Sequence, residues 1–236
     1  MADPEDVCRR LETVRSLIAR ACDKCGRRSE DVRLIGVTKT LSPDRIKPAI
    51  ACGLRDLGEN YIQELREKVE LLPSVCWHFI GHLQRNKAGW AAQNVDYIHS
   101  VDNSALLRTL DMHCADRAKP LLCLLQVRLG GEESKSGLEP EQVIPLLDSV
   151  AQEPPRYLRL VGLMTVPPPA DKADGNRQHF RRLRDLLDEV LAQNYPFWQG
   201  AELSMGMSDD YEAAIEEGAT MVRVGRAIFG PRPLKV

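Results

Sequence analysis

The chain has 236 residues, 43% hydrophobic and 28% charged, with a formal net charge of −2. That length suits one α/β barrel domain and is enough to bury a sizeable core. The near-neutral balance gives no electrostatic reason to expect nucleic acid or an anionic membrane as partner, and no run approaches the ~18 apolar residues of a membrane span. The acidic opening, MADPEDVCRR, lacks the apolar core of a secretory signal. The seven cysteines, odd in number and scattered, read as free thiols of a reducing cytoplasm. Cys22 and Cys25 have C-x-x-C spacing, but no second Cys or His pair answers them.

Periodicity places a first helix from about Glu5 to Cys25, with Val7, Leu11, Val14, Leu17, Ile18 and Ala21 on one stripe and Gly26 as its stop. Eight alternations of short apolar strand and helix follow. The expected strands are 34–38, 56–58, 77–80, 97–100, 121–129, 158–164, 202–205 and 221–224. Between them, Ser42 and Pro43 supply an N-cap and N1 proline, and Asn103 a further cap. Helices are expected near 61–72 and 176–193, and Pro167, Pro168 and Pro169 break the chain after the sixth strand. Eight β-then-α units in one domain of this length predict a closed (β/α)₈ barrel with an extra N-terminal helix. An open doubly wound sheet is the alternative, because strands two and seven are thin.

In such a barrel the chemistry sits just beyond the strand C-termini. Lys39 follows the first strand directly. A partly desolvated lysine has a lowered pKa, and its neutral amine can attack an aldehyde to form a Schiff base. After strand seven come Ser204, Met205, Gly206, Met207 and Ser208; after strand eight come Gly225, Arg226 and Ala227, opening a short helix. Adjacent loops with Ser208 and the backbone of 225–227 suit a phosphate, although Ser208 also suits a helix cap. Arg223 sits inside strand eight between Val222 and Val224. Buried there, it must pair with an acid or meet a ligand. One such ligand is the pyridine nitrogen of pyridoxal 5′-phosphate (PLP), a position filled by Asp or Arg. An arginine would leave that nitrogen neutral and the ring a poor electron sink. His78, in an apolar strand, reads first as a satisfied core histidine. Glu59 and Asn60 read as caps of the next helix. No set of His, Cys and Asp shows metal-ligand spacing.

Taken together, VTKT at 37–40, LGENYIQE at 57–64, WHFIGHLQRNK at 77–87, GEESKSG at 131–137, GLM at 162–164, LSMGMSDDYEAAIEEG at 203–218 and VRVGRAIFG at 222–230 resemble the pyridoxal phosphate homeostasis protein family. That family comprises single-domain relatives of the alanine racemase barrel. The resemblance implies that Lys39 forms the Schiff base with PLP and that Arg223 faces the ring nitrogen. It also implies Asn60 beside the ring, and Ser208 with the backbone of Gly225 and Arg226 on the phosphate. Two departures stand out: Arg128 where the family has a small polar residue such as Asn, and Arg226 in place of a small hydroxyl residue.

The expected function is a PLP-binding protein that buffers or delivers the cofactor to PLP-dependent apo-enzymes, as a cytoplasmic monomer rather than an enzyme. Racemases of this barrel type carry a second domain that supplies an opposing acid/base, and the chain ends soon after strand eight. The alternative is a slow amino-acid racemase that recruits Tyr61 or His78. Lys135, in the loop after strand five, is a further candidate as a transient acceptor of PLP.

Overall fold

The computed structural model describes residues 4–130, 136–169 and 174–231. Its strands are β1 (Arg33–Val37), β2 (Asp56–Glu59), β3 (Cys76–Phe79), β4 (Tyr97–Val101), β5 (Leu121–Gln126), β6 (Leu158–Met164), β7 (Trp198–Ser204) and β8 (Met221–Val224). They pair in chain order and close into a barrel, every neighbour parallel, with β8 returning to β1. The closed barrel thus replaces the open-sheet alternative. The helices are α1 (Pro4–Lys24), α2 (Pro43–Ala51), α3 (Ile62–Leu71), α4 (Ala88–Asn94), α5 (Ser104–Met112), α6 (Pro140–Gln152), α7 (Arg177–Ala192), α8 (Tyr211–Glu216) and α9 (Arg226–Phe229).

The α1 stripe of Val7, Leu11, Val14, Ile18 and Ala21 is buried, and Gly26 follows the helix at φ +69, a left-handed conformation that glycine adopts without a Cβ penalty. Ser42 stands at the N-cap of α2 with Pro43 behind it, although the serine side chain makes no capping bond. Asn103 does cap α5, its side chain accepting the Leu106 N–H at 2.8 Å. Glu59 and Asn60 do not cap α3: Tyr61 holds that position, and Glu59 is a buried strand residue. Strand β5 stops at Gln126, short of Leu129, because Val127 keeps only a single bridge, to Leu138. Strand β7 begins at Trp198, earlier than expected. Its first half alternates exposed Gln199 and Ala201 with half-buried Gly200, so it lacks the apolar signature of the other strands.

Two apolar clusters follow from the alternation of side chains along a strand. Leu57, Trp77, Phe79, Ile98, Leu121, Cys123, Leu125, Val222 and Val224 face outward and pack under the helices. Ile35, Tyr97, Leu124, Val161, Met164 and Met221 fill the barrel interior.

The expectation that all cysteines are free fails for one pair. Cys8 of α1 and Cys52, just after α2, form a disulfide with Cα atoms 5.7 Å apart, because the two helices pack side by side. Cys22, Cys25, Cys76, Cys114 and Cys123 are free. The C-x-x-C pair is not bridged; the Cys25 thiol donates to the carbonyl of Ala21 at 3.2 Å. Among the described residues, no helix is long and apolar enough to cross a membrane.

Phe180 of α7 is fully buried, whereas Leu191 on the same helix is exposed. Phe180→Ala should cost about 3–5 kcal/mol, seen as a lower urea midpoint, while Leu191→Ala should move it by less than about 0.5 kcal/mol.

Candidate functional site

Alternation decides which residues can meet at the barrel's C-terminal mouth. Arg33, Ile35 and Val37 share the interior face of β1, and two residues further that parity reaches Lys39, which is half-buried. On β2 the same parity runs from Asp56 through Gly58 to Asn60, and on β8 from Met221 through Arg223 to Gly225. Ile35 and Arg223 are register partners across the β1–β8 pair. Lys39, Asn60 and Gly225 therefore stand at one end of the barrel, above the level of Arg223.

The backbone around Lys39 is held from both sides. Lys68 of α3, buried, donates to the Thr38 carbonyl at 2.9 Å and to Glu59 at 2.5 Å. The Thr38 hydroxyl donates to Glu59 at 2.7 Å. On the other side, the Thr40 N–H donates to Glu64 of α3 at 2.7 Å. Thr40 itself has φ +64, left-handed backbone that a β-branched residue adopts only when its surroundings hold it there. Burial pushes the Glu59 carboxyl up, against the opposing charge of Lys68. Gly81 completes this side: a Cβ there would collide with the Asn60 backbone carbonyl, so only glycine lets β3's exit pass under Asn60.

The two expected phosphate loops do meet. The Gly225 N–H donates to the Ser208 hydroxyl at 3.3 Å. Asp210, not Ser208, occupies the N-cap of α8, and its carboxylate accepts the Met207 N–H at 2.7 Å. The Arg226 side chain is exposed and paired with Asp209, so its charge is spent outward rather than on the loop. Arg128, the other departure, donates to Glu139 at the start of α6 at 2.7 Å. Lys135 lies outside the described residues.

Arg223 is 3% exposed. It donates to the Ser204 hydroxyl at 2.6 Å and to the Thr165 carbonyl at 2.7 Å, rather than forming the ion pair that its position suggested as one option. Burial pushes its pKa down to about 10, opposed by Asp210, which still leaves it protonated at neutral pH. Ser204 belongs to a longer series that the sequence reading missed. Its hydroxyl lies 2.9 Å from His99 Nδ1; His99 Nε2 lies 2.9 Å from His78 Nδ1; His78 Nε2 lies 3.0 Å from Asp56. Arg33 donates to the same Asp56 oxygen at 2.9 Å. His78, His99 and Ser204 are buried. Burial alone would raise the Asp56 carboxyl, but hydrogen bonds from His78 and Arg33 outweigh it and hold it below the ordinary carboxylate range.

Asp56, Cys76 and His78 also bring three ligand-type atoms within 4.8 Å of one another, a grouping made by i, i+2 alternation on β3 and its neighbour. The chemistry of the set favours hydrogen bonding: a guanidinium already holds the Asp56 oxygen, and burial pushes the Cys76 thiol up, away from the thiolate that a metal requires. A surface cleft of about 580 Å³ lies outside the barrel against α1 and α2, beside Cys8, Pro48 and Cys52.

The alanine racemase N-terminal domain family matches residues 14–233. The chain is 40% identical over 229 residues to the pyridoxal phosphate homeostasis protein of Aquifex aeolicus, covering 96% of this chain and 99% of that one. With the protein of the same name from Pseudomonas aeruginosa it shares 42% identity over 230 residues, 96% of each chain. The structure of PipY of Synechococcus elongatus with PLP bound is 34% identical, with a TM-score of 0.81 over 95% of this chain and 100% of that one. Alanine racemase of Clostridium difficile shares the fold at 15% identity and a TM-score of 0.68, over 95% of this chain and 57% of that one. The chain belongs to the alanine racemase N-terminal domain family and, within it, to the pyridoxal phosphate homeostasis proteins.

Burial holds both His78 and His99 below the ordinary imidazole pKa. An unfolded chain takes up a proton on each as pH falls through about 6.5, while the folded chain takes them up only at lower pH. Their contribution to stability is therefore full above that pH and declines below it, by up to about 1.4 kcal/mol per pH unit for each histidine. Urea midpoints should fall between pH 7.5 and 5.5, and His99→Gln should reduce the drop.

Proposed function

We propose that this chain binds PLP at the barrel mouth and buffers or delivers it, serving intracellular PLP homeostasis and, through the enzymes that use the cofactor, amino-acid metabolism. The observation that carries this reading is the convergence of Lys39, Asn60, Arg223 and the Ser208–Gly225 pair at one end of the barrel. The residues fit the group. Asn60 Oδ1 is buried with no hydrogen-bond partner among the described residues, a costly state that a polar ligand relieves. PLP is the ligand of a full-length relative at 34% identity.

In this reading Lys39 is the covalent attachment point, and its backbone is fixed by Lys68 and Glu64. Asn60 lies beside the ring. The Ser208 hydroxyl and the backbone N–H groups of Gly225 and Arg226 hold the phosphate, which suits a family departure that changes only the Arg226 side chain. Arg223 faces the ring nitrogen. Bound PLP supplies an aldehyde for the lysine and a ring whose strength as an electron sink depends on protonation of its nitrogen. Arg223 can only donate a proton-bearing N–H there and stays charged, so it keeps that nitrogen neutral and disfavours carbanion chemistry.

A carrier role, not a racemase, fits the remaining groups. His78 has both ring nitrogens engaged inside the barrel and is 0% exposed, while Tyr61 is 51% exposed. Neither is set as a buried acid/base opposite Lys39. The reading includes one PLP-binding domain, acting as a cytoplasmic monomer, with PLP-dependent apo-enzymes as recipients.

PLP added to the protein should produce the visible absorbance band of lysine-bound PLP. Borohydride reduction and peptide mapping should then place the label on Lys39, and Lys39→Ala should lose the band. A label on another lysine, or an intact band in Lys39→Ala, overturns the assignment. Loaded protein given a panel of L-amino acids should turn over more slowly than ~1 s⁻¹, the low end of ordinary enzymes.

A further inference from the structure

The series from Asp56 to Arg223 has a property that its distances alone do not state: with both rings neutral, as their burial favours, the Asp56 end determines every ring proton in it. Arg223 has donors and no acceptor, so Ser204 Oγ must accept from it. The Ser204 proton is then free to go to His99 Nδ1 when that ring nitrogen is unprotonated. At the other end Asp56 accepts from Arg33 and, as a carboxylate, must also accept from His78, which puts the His78 proton on Nε2. His78 Nδ1 is left as an acceptor, and His99 must donate to it from Nε2. The two neutral histidines are then both in the Nε2–H form, with each proton used once. With both rings neutral, a reversed His99 would set two lone pairs against each other at His78 Nδ1.

We propose that His99 is a positioning residue for the PLP site, acting through Ser204 to hold the Arg223 guanidinium in one orientation at the level of the cofactor ring. The proposal rests on the reading of Arg223 as the ring-nitrogen partner. His99 directs the Ser204 proton away from Arg223 and leaves a serine lone pair facing the guanidinium, while the Thr165 carbonyl fixes its second donor. His99 is in turn fixed by His78, whose ring is stacked on Tyr97 with centroids 4.4 Å apart and planes 8° apart. The series carries orientation and not protons. To relay a proton towards the mouth, Arg223 would have to accept one from Ser204, which a charged guanidinium cannot do.

The charged and titratable groups around the two imidazoles come from β1, β2, β3, β4 and β8 and from the turn before β4. Asp56 and Arg33 lie at the lower end, Cys76 Sγ is 3.5 Å from His78 Nε2, Tyr97 covers the His78 face, Asp96 immediately precedes β4 and accepts the Trp77 N–H, and Arg223 stands beyond Ser204. Burial and the nearby cations favour neutral rings, as the proton pattern requires.

The test has two parts. In the wild-type protein without PLP, ¹⁵N NMR of the imidazoles should show His78 and His99 neutral and protonated on Nε2 at pH 7. An Nδ1–H form or a charged ring on either overturns the proposal, and this measurement needs neither a variant nor the cofactor. In the loaded protein, His99→Leu should still form the lysine-bound absorbance band, but release PLP to an excess of apo-enzyme faster by about tenfold, the order that outer partners are worth at metal sites. The band's pH profile should also shift. Ser204→Ala should give the same changes, and His99→Leu with Ser204→Ala should be no worse than Ser204→Ala alone. Additive effects, or an unchanged release rate and pH profile in His99→Leu, overturn the proposal. If the wild type forms no band at all, the PLP reading fails while the NMR result still decides the proton pattern.

Discussion

A guanidinium inside a closed barrel has to be given hydrogen-bond acceptors, and much of this barrel's interior is arranged to supply them. Arg223 lies among Ile35, Leu124, Met164 and Met221, surroundings that by themselves would make a charge prohibitively costly. Ser204, at the end of the neighbouring strand β7, and the Thr165 carbonyl, just past the end of β6, take two of its donors. Ser204 then needs His99, His99 needs His78, and His78 needs Asp56 and its partner Arg33. One buried charge thus accounts for five further polar residues that would otherwise be anomalies in an apolar interior. Partial satisfaction would be worse than none, because each orphaned group inside the barrel costs about 1–3 kcal/mol.

The other half of the site solves a different problem, placing a long flexible side chain. Lysine has four rotatable bonds in its stem, so its amine is only as well placed as its Cα. Here the peptides on both sides of Lys39 are tied to α3, one to Lys68 and one to Glu64, and Thr40 is bent into left-handed backbone as a result. The strain sits one residue from Lys39 and is balanced by charge-assisted hydrogen bonds whose partners are mostly buried.

Much of this was legible in the chain. The eight alternations and the N-terminal stripe were readable because apolar period and turn residues agree. The first half of β7 carries no apolar signal in the sequence because its residues alternate between exposed and half-buried. Lys39, Arg223, Gly225 and Ser208 stood out because a charge inside a strand and glycine–serine loops after strands carry local signals. His99 carries none: it lies in Tyr97–Val101, where one histidine among buried residues looks like packing, and its partners are 21 and 105 positions away. Glu64 and Lys68 read as an ordinary helical i, i+4 pair on α3 and show their purpose only once the Lys39 loop lies against them. The Cys8–Cys52 bond was hidden by the same limit, since sequence spacing does not reveal which helices lie side by side.

That bond also gives the N-terminal helix a mechanical part to play. Helix α1 packs against α2, α8 and α9, so it lies across the seam where β8 meets β1 and the barrel's last strand closes on its first. The Lys39 loop and the Ser208 and Gly225 loops, encoded almost at opposite ends of the chain, flank that seam. Helix α1 works as a clasp over it, riveted on one side by the disulfide. Peeling α1 away would uncover the seam that joins the Lys39 loop to the Ser208 and Gly225 loops, leaving the backbone pairs between β1 and β8 to hold the two together.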